Sequence, residues 1–158
     1  MSTVRFYIAL VALVFASCHN EVVYDVGRLE PSNQGNKTEL KDDLQFMSIA
    51  YRDLFGEEVP PDVLSTMRKA YISFGDKELI IDEIVQTMLV SPDLDLPSDS
   101  AIAADRSAFI SDTYGKFLLR DPSDFESAFW ESQLIEQMDL TAKDVYYVFM
   151  TCKEYKYY

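Results

Sequence analysis

The sequence predicts an all-α fold, a helical bundle made of two tandem three-helix units. Three observations support this prediction. Apolar residues return every three or four positions over most of the chain after residue 38, as they do on the buried face of a helix. Prolines divide the same region into segments of helical length. The apolar pattern of the first segments returns 61 to 63 residues later, which indicates a repeated structural unit.

Residues 1–17 have the layout of a cleaved signal peptide. Arg5 supplies a positive charge, an apolar run extends from Phe6 to Phe15, and two small residues directly precede Cys18. An apolar helix needs about 20 residues to cross a bilayer, and this run is only about half as long. We therefore expect cleavage of this segment and no permanent transmembrane anchor.

The tetrapeptide Phe15-Ala16-Ser17-Cys18 resembles the lipobox of bacterial lipoproteins, with Phe15 where leucine is usual. The resemblance implies that a diacylglycerol on Cys18 anchors the protein to a membrane. His19 follows the cysteine instead of an aspartate, which resembles sorting to the cell outer membrane, with the domain facing the periplasm or the cell surface. The alternative is an ordinary secretory signal that leaves Cys18 as a free thiol or removes it.

Residues 18–37 are predicted to form a flexible tether, because they are polar and interrupted by Gly27, Pro31 and Gly35. The chain that follows divides into a first helical unit at residues 38–92, a connector at 93–104 and a second helical unit at 105–158.

The first helix of each unit is predicted over residues 39–55 and 105–119, and the second helix of each unit follows a proline-containing break. Aligning the two units pairs apolar residues in all three helices. The pairs are Phe46 with Phe109, Tyr51 with Tyr114, Val63 with Phe125, Met67 with Phe129, Ile84 with Val145, Met88 with Phe149, and Leu89 with Met150.

Residues typical of helix starts support these boundaries. Pro61 suits a first helical turn, and Ser123 with Glu126 three residues later predicts a capping box. Asp76 and Thr141 are expected to cap the third helices. The third helices carry the clearest apolar stripes, at Ile81, Ile84, Val85, Met88 and Leu89 in the first unit and at Val145, Val148, Phe149 and Cys152 in the second.

The second unit resembles a bacterial helical family whose function is unknown. The resemblance rests on Phe109 and Tyr114, the turn Leu118-Leu119-Arg120-Asp121-Pro122, Trp130 in the second helix, and the closing Cys152-Lys153-Glu154-Tyr155. A more distant similarity, at Tyr51-Arg52-Asp53-Leu54-Phe55, is to phycobilisome linker domains. Both resemblances imply a role in binding or assembly and not in catalysis.

The charge and the rarity of reactive residues narrow the function. The chain carries 27 acidic and 14 basic residues, and its net charge of −13 disfavours binding to nucleic acids and to anionic lipids. The one histidine, His19, lies in the predicted tether, and Cys152 lies on an apolar stripe, where a buried, inert thiol is expected. We therefore expect a protein that is not an enzyme and has neither a cofactor nor a metal site, and an enzyme that uses carboxylates alone is the third alternative.

The aspartates of the connector could suggest a calcium loop. However, Ala104 stands where such a loop needs its bidentate glutamate, so a solvated acidic connector is the preferred interpretation of Asp93, Asp95 and Asp99. The segment from Ser91 to Ser100, which contains two prolines, is expected not to be helical.

Aromatic residues near the C-terminus are the candidates for binding. Trp130, Tyr155, Tyr157 and Tyr158 could contribute to an interface, although Trp130 in a repeated helix could equally belong to the core, and Tyr155 could close its helical unit. The function predicted from the sequence is a membrane-anchored accessory lipoprotein that acts as a protein-interaction module of a cell-envelope complex. The alternative is a surface polysaccharide-binding module with Trp130 and the tyrosines as its site.

Overall fold

The computed structural model describes residues 40–137 and 139–157, and every structural statement below concerns these residues. The predicted signal peptide, the lipidation site Cys18, the predicted tether and Tyr158 lie outside them. Their predicted roles remain predictions.

The all-α prediction is confirmed, since the described residues contain helices and no β-structure beyond one isolated bridge between Leu40 and Tyr157. A short 3₁₀ turn at Glu154–Lys156 follows the last α-helix. The helices are α1 (Asp43–Phe55), α2 (Pro61–Ser73), α3 (Lys77–Leu89), α4 (Asp99–Ala104), α5 (Arg106–Leu118), α6 (Asp124–Glu136) and α7 (Ala142–Thr151).

The helix starts follow the local sequence signals. Pro61 is the first residue of α2, and the Asp76 side chain accepts a hydrogen bond from the Leu79 amide at the start of α3. The start of α6 has the predicted capping box, and the Thr141 side chain caps α7. The prediction that the first helix begins near residue 39 is wrong, because Asp42 caps α1 in a capping box that the sequence analysis did not identify.

The connector contains a helix that was not predicted. Residues after Ser91 remain non-helical up to Ser98, but α4 then occupies most of the remaining connector. Ser98 accepts a hydrogen bond from the Ala101 amide, and Ile102 is buried. A side-chain cap directly after a proline and one buried anchor are thus enough to form a short helix in an acidic segment.

Burial in the first and third helices follows the spacing of the sequence repeat. Three pairs of positions 63 residues apart in α1 and α5 are buried in both units, and so are four pairs of positions 61 residues apart in α3 and α7. The pairs are Phe46 and Phe109, Met47 and Ile110, Leu54 and Phe117, Ile84 and Val145, Val85 and Tyr146, Met88 and Phe149, and Leu89 and Met150.

The predicted alignment of the second helices is wrong by one residue. Helices α2 and α6 begin 63 residues apart, so Met67 corresponds to Trp130 and not to Phe129. Both Met67 and Trp130 face the interior, whereas Phe125 is 79% exposed and Phe129 is 48% exposed. The physical reason is that the two loops before these helices have the same length, so the spacing does not change until the third helix.

Two residues of the last apolar stripe also differ from expectation. Val148 is exposed, because α7 turns Val145, Tyr146, Phe149 and Met150 inward. Cys152 is half-buried at the C-terminal end of α7, where the helix has already ended and the chain turns away. Cys152 is therefore packed against the core but only partly buried, and not buried as expected.

The two units share one hydrophobic core. Helices α1, α2 and α3 pack against each other, α5 packs against α6 and α7, and the third helices α3 and α7 pack together between the units. The Tyr147 hydroxyl, on α7, donates a hydrogen bond of 2.6 Å to the Asp82 carboxylate on α3. The buried residues of both units belong to a single cluster.

The C-terminal turn closes this arrangement through Tyr155. The side chain is 0% exposed, and its ring packs edge-on against Phe46 of the first unit at 5.6 Å and against Phe117 of the second at 5.9 Å. The hydroxyl donates to the Asp53 carboxylate at 2.9 Å. Burial raises the pKa of Asp53, and the hydrogen bond from Tyr155 opposes this rise.

The start of the described chain meets the same turn. The Lys41 amide donates to the Lys156 carbonyl at 3.0 Å, and the Lys41 ammonium lies 3.9 Å from the centre of the Tyr155 ring. Tyr155 therefore belongs to the core, where a partner protein cannot reach its side chain. This corrects the expectation that Tyr155 contributes to an interface, and agrees with the alternative that it closes its unit.

Replacing Tyr155 with Phe should lower the free energy of unfolding by about 1–2 kcal/mol, because the buried Asp53 carboxylate loses a hydrogen-bond donor. The loss should shrink at acidic pH, where Asp53 becomes protonated and needs its donor less. Urea unfolding followed by circular dichroism measures both effects. The matched control, Tyr157→Phe, should change stability by less than about 0.5 kcal/mol, and an equal loss in both variants would contradict this role of Tyr155.

Candidate docking surface

Helix α6 carries apolar residues on both of its sides. Trp130 and Leu134 face the core, whereas other apolar side chains of the same helix are exposed to solvent. We define the α6 outer face as the exposed residues Phe125, Ala128, Phe129 and Ile135. Residues three and four apart lie on the same side of a helix, so Phe125, Ala128 and Phe129 form one continuous strip.

The first unit shows that the fold does not need aromatic residues on this face. Sixty-three residues before the α6 outer face, α2 carries Asp62, Ser65, Thr66 and Ile72, all of which are also exposed. The inward-facing positions of the two helices also correspond. Val63 corresponds to Glu126 and Tyr71 to Leu134, and all four are partly or fully buried. The same helix in the same place of its unit is thus polar where α6 carries two phenylalanines.

Another exposed apolar residue, Leu119, lies shortly before α6 in a backbone conformation that is unfavourable for leucine. Leu119, which ends α5, has a left-handed backbone with φ of 55° and is 56% exposed. The corresponding residue at the end of α1 is Gly56, with φ of 74°. A left-handed conformation costs a non-glycine residue roughly 1–2 kcal/mol, whereas glycine adopts it freely. The second unit therefore replaces the residue that suits this turn with an exposed leucine.

The helix that carries the α6 outer face is also acidic. Helix α6 contains four acidic residues and no basic one, whereas α2 contains one acidic residue and two basic ones. Arg68 of α2 corresponds to Glu131 of α6, so the sign of the charge is reversed at this position. The acidic residues of α6 are Asp124, Glu126, Glu131 and Glu136.

Arg120 fixes the start of α6 relative to the rest of the second unit. Its guanidinium donates two hydrogen bonds to Glu126, at 2.7 and 2.9 Å, and two to Glu154, at 2.8 and 2.9 Å. It also lies 5.0 Å from the centre of the Tyr114 ring on α5. One planar cation thereby joins α5, α6 and the C-terminal turn. The turn at Arg120 and the closing Glu154 are therefore in direct contact, although 34 residues separate them in the sequence.

The ion pair changes the acidity of Glu126. Hydrogen bonds from Arg120, and further ones from the Ser123 amide and hydroxyl, lower the pKa of Glu126 to about 2. Glu126 therefore keeps its negative charge across the physiological pH range. The same carboxylate also completes the capping box of α6, because it accepts a hydrogen bond from the Ser123 amide.

Trp130 connects the outer face with the core. Its ring lies 5.3 Å from Phe149 in the core and 5.5 Å from Phe129 on the outer face. Because Phe149 and Phe129 both pack against the indole, Trp130 offers little free ring surface for stacking on a sugar. The polysaccharide-binding alternative, which relied on Trp130 and the tyrosines, remains a prediction from the sequence.

Of the four residues predicted as an interface, the structure describes three, and none of these three is exposed. Trp130 packs on Phe149, Tyr155 packs on Phe46 and Phe117, and half-buried Tyr157 pairs through its backbone with Leu40. Phe125 and Phe129 were not predicted as surface residues, because the predicted alignment pairs them with Val63 and Met67. Keeping the spacing at 63 residues through the second helices would have placed them opposite Asp62 and Thr66.

Neither a metal site nor a membrane-spanning helix is found in residues 40–137 and 139–157. The described residues contain no group of three His, Cys, Asp or Glu side chains that could hold a metal ion. No described helix combines the length and the apolar character needed to cross a membrane. In comparisons with known proteins, no family model, curated protein or solved structure matches the chain.

Replacing Glu126 with Gln should lower the free energy of unfolding by about 1 kcal/mol at pH 7, since the partners are partly exposed and water screens the pair. The folded pKa of about 2 lies below the ordinary value of 4.5, so this contribution is complete above pH 4.5 and is lost as the pH falls towards 2.

Urea unfolding at several pH values compares Glu126→Gln with the native chain, and the two stability curves should converge between pH 4.5 and 2. The control is Glu58→Gln, an exposed residue of the first unit, for which a change below about 0.5 kcal/mol is expected at pH 7. Curves that stay parallel down to pH 2 would show that Arg120 does not hold Glu126 in this way.

Proposed function

We propose that this protein is a membrane-anchored accessory lipoprotein of a cell-envelope assembly, and that it docks onto a protein partner through the α6 outer face. One observation carries the proposal: α6 exposes Phe125 and Phe129 where the repeated unit has Asp62 and Thr66. The first unit folds without aromatic residues on this face, so their presence in the second is best explained by a partner that covers them.

The energetics support docking at this face. Burying a phenylalanine side chain stabilises a complex by roughly 1.5–3 kcal/mol, and two neighbouring ones can form the centre of an interface. Helices that bind in a groove of their partner present anchors three, four and seven positions apart. Phe125, Ala128, Phe129 and the partly exposed Ser132 have this spacing.

The predicted anchoring to a membrane is consistent with such a role. A lipid on Cys18 and a tether of about twenty residues would keep the domain within a few nanometres of the bilayer. The local concentration of envelope partners is then high, so that a modest interface is sufficient for occupancy. The docking proposal and the lipidation proposal are independent, and each has its own test.

The test of docking replaces the two phenylalanines with the residues of the first unit, as Phe125→Asp with Phe129→Thr. This double variant should unfold within about 1 kcal/mol of the native chain, because exposed positions contribute little to stability. From solubilised membranes, the native chain should recover a partner in a fixed stoichiometric ratio, and the variant should lose it.

The matched control removes two exposed apolar residues from the first unit, as Ile72→Ser with Phe74→Ser. Phe74 has the same 48% exposure as Phe129, and Ile72 is 64% exposed. This control should recover the partner as well as the native chain does, as measured by quantitative mass spectrometry. Equal recovery with the Phe125→Asp, Phe129→Thr variant would rule out the α6 outer face as the docking surface.

Metabolic labelling with radioactive palmitate tests the predicted lipidation of Cys18. The native chain should incorporate the label and fractionate with the outer membrane, and Cys18→Ala should do neither, because the thiol that accepts the lipid is absent. Cys152→Ala serves as the control for the other cysteine and should label as the native chain does. Equal labelling of the Cys18→Ala chain would reject lipidation at this residue.

A further inference from the structure

We propose that the partner presents to the α6 outer face an amphipathic protein segment, apolar at its centre and bordered by lysine or arginine. This inference rests on the proposed docking function and specifies the chemistry of its partner. It follows from the position of the acidic residues around Phe125 and Phe129.

The acidic residues lie along one edge and at one end of the apolar strip. Glu131 is three residues after Ala128 and four residues before Ile135, so it borders both of them. Glu136 follows Phe129 by seven residues and therefore lies on the same side of the helix. The Ser132 hydroxyl donates to the Glu136 carboxylate at 2.7 Å, which orients this group beside the face.

These charges differ in kind from that of Glu126. Arg120 pairs with Glu126, so that carboxylate is already compensated within the molecule. Glu136 is exposed and Glu131 is partly exposed, on a helix that contributes no basic residue. Complementary charge on a partner strengthens association and orients it, whereas like charge costs several kcal/mol. A partner with basic residues around an apolar centre satisfies both parts of this surface.

The same charges disfavour two other occupants. A second copy of the chain that used the same face would bring the acidic edges of two α6 helices together. An anionic lipid surface would be repelled by α6 and by the chain as a whole, whose net charge is −13. The surface therefore fits a basic amphipathic protein segment best.

The fluorescence of Trp130 can report whether a peptide covers the α6 outer face. It is the single tryptophan of the chain, and its ring lies 5.5 Å from that of Phe129. Covering the α6 outer face should therefore change its fluorescence. The full chain is held in nanodiscs of phosphatidylcholine, with empty nanodiscs as the blank, and is titrated with a synthetic amphipathic helical peptide of leucine and lysine. A leucine–glutamate peptide and a serine–lysine peptide of equal length test the two parts of the recognition separately.

The leucine–lysine peptide should bind at least about tenfold more tightly than either of the others, and more weakly as salt increases. The variant Phe125→Asp, Phe129→Thr should bind it at least about tenfold more weakly. This result is diagnostic, because the variant adds a negative charge, which would strengthen a purely electrostatic interaction. Glu131→Gln with Glu136→Gln should weaken binding about threefold or more and leave the apolar strip unchanged.

Several results would overturn the inference: no binding of the leucine–lysine peptide, equal binding of either comparison peptide, or an unaffected phenylalanine variant. Tighter binding of phosphatidylglycerol vesicles, or of a second copy of the chain, would do the same. The proposed function is judged separately, by recovery of the membrane partner. If the phenylalanine variant loses the partner but the partner has no basic residues at the contact, this inference is wrong and the docking proposal still holds.

Discussion

The burial of Tyr155 between the two units is the interaction on which the rest of the structure depends. A unit of about fifty residues buries a small fraction of its surface and is only marginally stable, whereas two units that share a core bury a larger fraction of theirs. Tyr155 joins the two, because its ring contacts Phe46 and Phe117 and its hydroxyl contacts Asp53. The preceding residue, Glu154, binds Arg120, which in turn binds α6. The turn that closes the core therefore also fixes the helix that carries the docking surface.

Local sequence signals predicted what depends on local chemistry. The caps at Asp76, Ser123 and Thr141 require only a side chain and the amides that follow it, so their residues identify them directly. The partnership of Arg120 with Glu154 joins positions 34 residues apart, and no local pattern encodes it. The position of Tyr155 in the core depends in the same way on the packing of one unit against the other. Helix α4 was missed because its single buried anchor, Ile102, leaves almost no periodicity to detect.

The surface was harder to predict than the core because apolar residues are ambiguous in a sequence. Phe125 and Phe129 have the spacing of a buried stripe, and only their register relative to α2 shows that they face outward. Trp130, one position further along, occupies the inward position that Met67 has in the first unit. A slip of one residue in the alignment thus exchanged the core side of α6 for its outer side. In a repeat protein, the other copy helps to resolve this ambiguity, since many equivalent positions share burial even where their chemistry differs.

The differences between the copies also separate folding from function. At Leu119, Phe125 and Phe129 the second unit keeps exposed apolar residues where the first has Gly56, Asp62 and Thr66. Each is a worse choice for an isolated fold, since one adopts a left-handed backbone and two place aromatic rings in water. Residues that are unfavourable for the local structure are expected mainly at functional sites. The strong negative charge makes this arrangement tolerable, because repulsion between copies opposes association through the exposed rings. The acidic surface can therefore both keep the free protein apart from its own copies and select a basic partner.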